Sequence, residues 1–273
     1  MHSRQSFLFL FFKKKSLPSF LVALSPCAAL AAPVVLSGHH AVYALSLNSS
    51  HDQTVIAATG SMTYDLTDTC GGWTTAQHMV IDMTDRDGQE SKMVSDYATF
   101  ETKDGARLNF HSRQQTDSNV TQNLDGVAVL NHSGGHGHAD LTNPEKRRVA
   151  LPEGTLLPNS HTIAIIAGAM DGKRFLSMPL FDGTGADGAQ DTFVVIENWN
   201  NPHTEKWQSL SELPSGRVHV SFFDRDSAVA TPDYEIGMRY FDNGVADGLT
   251  MDFGDFVMDG SLAQFNLRPT PRC

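Results

Sequence analysis

The sequence predicts a mainly β protein, a single large curled antiparallel sheet packed around one main α-helix. Two observations predict the sheet. Short segments alternate apolar and polar residues, as in Ala41 to Leu47, Val55 to Tyr64 with an interruption at Gly60, and Gln77 to Met83. Asp-Gly and Asn-Gly pairs recur between such segments, at Asp87, Asp104, Asp125, Asp171, Asp182, Asp187, Asn243, Asp247 and Asp259. These dipeptides supply the positive φ angles of tight hairpin turns, so most should join neighbouring antiparallel strands in a meander of ten or more. A third observation predicts the helix: Ile163, Ile166, Ala167 and Met170 repeat at helical spacing, a period found almost nowhere else in the chain.

The helix has chemical punctuation. Pro158 bars helix upstream, Asn159 or Ser160 can cap the first turn, and Gly172 can take the left-handed conformation that ends it. Phe175 to Phe181 then returns to extended structure. Asn131 to His138 and Pro202 to Leu213 read as long polar loops, with no repeat and no linker to divide the chain.

At 273 residues, 40% of them hydrophobic, the chain can bury a sizeable core. The first 31 residues stand apart. Arg4 and Lys13-Lys14-Lys15 precede an apolar run from Leu17 to Leu30, and Ala29-Leu30-Ala31 has the small-x-small pattern of a secretory cleavage site. The expectation is a signal peptide over 1–31, cleaved near Ala31, and one exported domain over 32–273. Pro18 and Pro26 interrupt the run, which is short for a membrane span, so no stable membrane insertion is expected after cleavage. Losing the four cations moves the net charge from −11 to −15. Such an acidic protein is a poor partner for nucleic acid or anionic lipid. Of three cysteines, Cys70 and Cys273 remain, and an even count in an oxidising compartment favours a disulfide.

The histidine group His132, His136, His138 and Asp140 is the weak metal candidate. His-x-His-x-Asp partly matches the zinc signature of metallo-β-lactamase-type hydrolases, but Leu141 stands where the next histidine belongs. A solvated glycine-rich loop is the simpler reading. Asp252, Asp255 and Asp259 lie among Phe253, Phe256 and Met258, a pattern of core packing with acids on the solvent face. No G-x-S-x-G elbow, P-loop or H-E-x-x-H is present, and no cofactor or catalytic residue is assigned.

A further set of residues carries a family resemblance. Gly60-Ser61-Met62-Thr63-Tyr64 followed by Asp68-Thr69-Cys70-Gly71-Gly72-Trp73 resembles the signature of the bacterial periplasmic cell-envelope integrity proteins of the EipB family. The resemblance continues through Leu151-Pro152-Glu153-Gly154-Thr155, Pro158, His161 and Phe181-Asp182-Gly183. It closes with Tyr234-Glu235, Asn243 to Asp247, Asp252 to Phe256 and Cys273. It implies a β-spiral, a half-open shell of antiparallel sheet around a helix, located in the periplasm and closed by a disulfide between Cys70 and Cys273. It also implies a non-enzymatic role in envelope integrity and stress resistance, as a binding or scaffold module with a tetratricopeptide-repeat periplasmic protein as partner. Two alternatives are weighed beside it: a periplasmic carrier of a lipid or other apolar ligand, needing a hollow lined by Phe, Met, Ile and Leu, and a metal-dependent hydrolase built on the histidine group.

Overall fold

Alternation and turn chemistry build a meander in two runs. The computed structural model describes residues 33–273 except 52, 53, 226 and 228–230, so the signal-peptide expectation lies outside the described residues. The first run comprises β1 (His39–Ser50), β2 (Val55–Asp68), β3 (Gly72–Asp85), β4 (Glu90–Thr102), β5 (Arg107–Thr116), β6 (Asn119–Leu130), β7 (Gly137–Asn143) and β8 (Arg147–Leu151). Helix α1 (Pro158–Met170) follows. The second run comprises β9 (Phe175–Leu180), β10 (Gln190–Ile196), β11 (Ser215–Phe223), β12 (Tyr234–Phe241), β13 (Ala246–Asp252) and β14 (Phe256–Leu267). Every pairing between strands is antiparallel, and the pairing of β1 with β14 fuses the runs into one 14-stranded sheet that begins at β8 and ends at β9. Among the described residues the sheet does not close.

Packing shows that it curls. Ile81 on β3 and Val194 on β10 belong to one buried cluster, with Tyr43, Leu45, Met258 and Ile165 among its members. Seven strand spacings separate β3 from β10 along the sheet, about 33 Å if it were flat. A shared core therefore requires the two runs to face each other. The loop after β9 folds back on the first run: Phe181 is buried with Leu108, Phe110, Leu124 and Leu151, and Arg147 on β8 bonds Ala186 O and, at 3.1 Å, Asp187.

Helix α1 lies inside this curl, and its buried face differs from the predicted stripe. Asn159, His161, Ile165, Ile166, Gly168 and Ala169 are buried, whereas Ile163 and Ala167 are half-buried and Met170 is exposed. A helix with sheet on several sides has no single apolar stripe to read. Pro158 is the first residue of the helix, as a proline that bars helix upstream allows, since the first turn needs no amide hydrogen there. The other end is as expected: Gly172 has φ 75°, and its N–H and that of Lys173 bond Ala169 O and Gly168 O.

The turn dipeptides divide by tertiary context. Gly88, Gly105 and Gly244 occupy hairpin turns with positive φ. Asp125-Gly126 and Asp259-Gly260 instead lie inside β6 and β14, and Asp247-Gly248 sits inside β13 beside a register shift. Gly60 does not break β2: a side chain there would meet Val80 O of β3 at 2.2 Å, so glycine permits the close approach of the strands.

Candidate functional site

The turn between β2 and β3 carries Cys70, joined to Cys273 by a disulfide with Cα atoms 5.7 Å apart. The turn is prepared locally. Cys70 has φ 64°, and its N–H donates to Asp68 Oδ1 at 2.9 Å. Lys103, from the neighbouring β4–β5 turn, places Nζ 3.4 Å from the centre of the Trp73 ring and 2.8 Å from Asp68 Oδ2. Burial opposes the Asp68 charge, yet Lys103 and the Cys70 N–H hold its carboxyl below the usual range. The C-terminal tail crosses to this turn, tied by Arg268 N–H to Gly38 O at 2.7 Å and by the Arg268 guanidinium to Asp65. Trp73 packs with Leu36 and Leu66, with Ile163 of α1 against them. The disulfide thus fastens the chain end, the first run and the helix to one small core.

The start of α1 is held from the sheet. Leu157 occupies the cap position and contributes no side-chain bond. Glu101 on β4 supplies it instead: its carboxylate accepts the Asn159 N–H at 2.6 Å, the Ser160 N–H at 3.0 Å and the Ser160 hydroxyl at 2.7 Å. Burial pushes this carboxyl up, and the donors from Ser160 and Asn159 pull it back only in part. Asn159 and Ser160, expected as caps, are therefore the groups being capped.

His161, one turn in, ties the helix to the second run. Thr192 donates its hydroxyl to Met178 O at 2.8 Å, so the Thr192 oxygen must accept from His161 Nε2–H at 2.9 Å. This assigns the tautomer. Burial lowers the His161 pKa from 6.5 to about 4. A histidine lowered on folding gives stability that is complete above 6.5 and is lost as pH falls towards 4. The loss expected across that window is about 3 kcal/mol. Urea unfolding at pH 7, 5.5 and 4.5 checks it: His161→Gln should flatten this slope and leave the carboxylate-driven loss below pH 4 unchanged.

The histidine group does not converge. His138 and Asp140 share the outer face of β7, while Ala139 and Leu141 fill the core. Arg148 occupies both Asp140 oxygens, at 2.6 and 2.8 Å. His136 pairs with Glu153 at 3.0 Å, and His132 donates to Ser133 O. Among the described residues no group of three or more His, Cys, Asp or Glu is placed to hold a metal ion. Asp259 accepts from Asn48 and Thr250, and Asp252 from the Gly254 N–H, so the second acidic set is likewise engaged locally.

A different surface stands out on the outer face of β9 and β10. Phe175 and Phe193 stack with centroids 6.0 Å apart while 62% and 41% exposed. Phe223 and Val195 lie half-buried on the same outward positions of β11 and β10. β9 is also a sheet edge. Arg174 O accepts from Ile196 on the β10 side, whereas Pro179 O and Phe181 N–H bond Leu156 on the other side. By alternation the N–H and C=O groups of Phe175 and Ser177 point to the uncovered edge.

The EipB-like family profile matches residues 30–269. This chain belongs to that family. It is 28% identical over 251 residues to the cell envelope integrity protein EipB of Brucella abortus (strain 2308), spanning 89% of this chain and 88% of that protein. Its fold is similar to a crystal structure from Brucella abortus described as a β-barrel-like protein of domain of unknown function DUF1849. The TM-score is 0.79 at 26% identity, covering 86% of this chain and all of the other. The EipB-like family match spans the Cys70 turn, Glu101, His161 and the β9 edge, and stops four residues short of Cys273. Among the described residues no helix is long and apolar enough to cross a membrane.

Sequence reading missed Glu101 and the aromatic pair. Glu101 had a visible signal, a charge on the inward parity set by Thr99 and Tyr97. Phe193 had a weaker one, an aromatic on the outward parity of a strand whose core side is Thr192, Val194 and Ile196.

Proposed function

We propose that this protein acts in the periplasm as a non-enzymatic binding or scaffold module that helps maintain the cell envelope. Its relationship to the Brucella protein named for envelope integrity supports the role. The observation that carries the binding reading is the stacked, exposed Phe175–Phe193 pair beside the open edge of β9. Such an edge recruits an extended segment of another protein as an added strand, with backbone bonds for affinity and aromatic contacts for selection. Lys173 and Arg174, exposed at the start of β9, favour an acidic segment. A periplasmic tetratricopeptide-repeat protein is the partner class the family resemblance implies.

The test is genetic complementation under detergent or cell-wall stress. A strain lacking the protein should lose resistance and regain it with the wild-type gene. Phe175→Ser with Phe193→Ser should fail to restore it, although such surface changes alter stability by only about 0.5 kcal/mol each. Full complementation by this stable, exported double variant would sink the docking reading.

A further inference from the structure

The inner wall of β3, β4 and β5 has a polar band at its middle, between Met79 and Ile81 towards one end and Leu108 and Phe110 towards the other, where a sheet facing its own core is ordinarily apolar. Strand register places Tyr64, Gln77, Tyr97 and Ser112 in one cross-strand row, with Thr75 beside Thr99 in the next. Thr75, Thr99 and Ser112 are buried. Tyr64, Gln77 and Tyr97 face the same way yet are only half-buried, so water-sized space reaches them.

Two polar atoms here lack a partner. Thr99 Oγ1 and Asn159 Nδ2 are buried without a hydrogen bond, in residues 4% and 5% exposed. Thr99 lies beside the Tyr97 phenol and Asn159 beside the Glu101 carboxylate, yet among the described residues neither atom makes a hydrogen bond of full geometry. Buried polar groups are ordinarily satisfied, and these two belong to residues on or beside one wall. The loop after β9 roofs it, with Tyr97 OH donating to Asp182 O at 2.7 Å.

We infer that this wall binds a neutral polyhydroxylated ligand, a saccharide. The inward positions of the three strands hold no Lys or Arg, so an anion would find no counter-charge. Of their two carboxylates, Glu101 is occupied by the helix start, and Asp85, at the far end of β3, by the Asp87 and Gln89 N–H groups of the following turn. An acyl chain would bury the hydroxyls and the Gln77 amide without partners. Sugar hydroxyls both donate and accept, matching the interleaved amide and hydroxyl groups, and the C–H faces of a sugar ring pack on the tyrosine rings. The inference is independent of the docking reading, which concerns the opposite face of other strands.

The test is a titration followed by amide nuclear magnetic resonance on the disulfide-bonded protein, with glucose, maltose, N-acetylglucosamine and its β-1,4-linked disaccharide. At least one should move the Thr75, Tyr97 and Thr99 amides saturably. Thr99→Val keeps the shape and removes the hydroxyl, so it should retain the melting temperature and weaken binding by about tenfold. Ser112→Ala, a second variant of small volume change, should weaken it in the same direction. The inference is overturned by three results: no saturable shift with any of the four sugars, equal affinity in both variants, or dodecanoate displacing the sugar from the same amides.

Discussion

Cys273→Ser is expected to lower the unfolding free energy by up to about 5 kcal/mol, the largest effect of any single change in this chain. The bridge spans a sequence separation of 203 residues, and the entropy of the unfolded chain grows with the loop that a crosslink would have closed. Strain and residual structure reduce the figure, yet it is comparable with the whole stability of an ordinary domain. The loss should also be local in kind. Without the bridge the tail is left, among the described residues, with the Arg268 contacts, and Trp73 keeps its packing with Leu36 and Leu66. Guanidinium unfolding of oxidised wild type, reduced wild type and Cys273→Ser checks this. The last two should share a midpoint well below the first, and coincidence of all three would refute it.

Glu101→Ala should cost about 3–5 kcal/mol, the scale of leaving several buried hydrogen-bond donors without their acceptor. Three donors at the start of α1 lose their acceptor, and no water-exposed route replaces it because Glu101 is 1% exposed. Glu101→Gln separates the bonding from the charge. One amide oxygen can still accept, but the NH2 group faces the remaining donors, so part of the loss persists. The raised carboxyl sets the pH signature. Stability from Glu101 is complete below the unfolded value of 4.5 and declines as pH rises through its higher folded value. The Gln variant should therefore lose less at neutral pH than the Ala variant and show a shallower decline between acidic and neutral pH. Hydrogen exchange at the Asn159 and Ser160 amides supplies the local readout, with protection reduced in both variants.

Elements governed by neighbours in sequence were legible from the sequence. Alternation over Ala41 to Leu47 and Gln77 to Met83 marks real strands because a pleated strand with one buried face must alternate. Gly172 ends the helix, and Gly88, Gly105 and Gly244 turn hairpins, because positive φ is a local requirement. The pairing of Cys70 with Cys273 was legible through the family resemblance, and these are the two cysteines that residues 32–273 contain.

Tertiary structure alone decided which side of each element meets what. Asp125-Gly126 and Asp259-Gly260 have turn chemistry yet continue strands, since cross-strand bonds on both sides outweigh a local preference. The buried face of α1 rotated away from the Met170 stripe because sheet surrounds the helix. The capping group at its start came from Glu101, 58 residues upstream of Asn159. The polar wall and the aromatic edge are products of the same curl. Parity along one strand says that two residues share a face, but only the closing of β3–β5 against the returning loop makes one face an interior, and only the end of the sheet at β9 leaves the other face and its edge open.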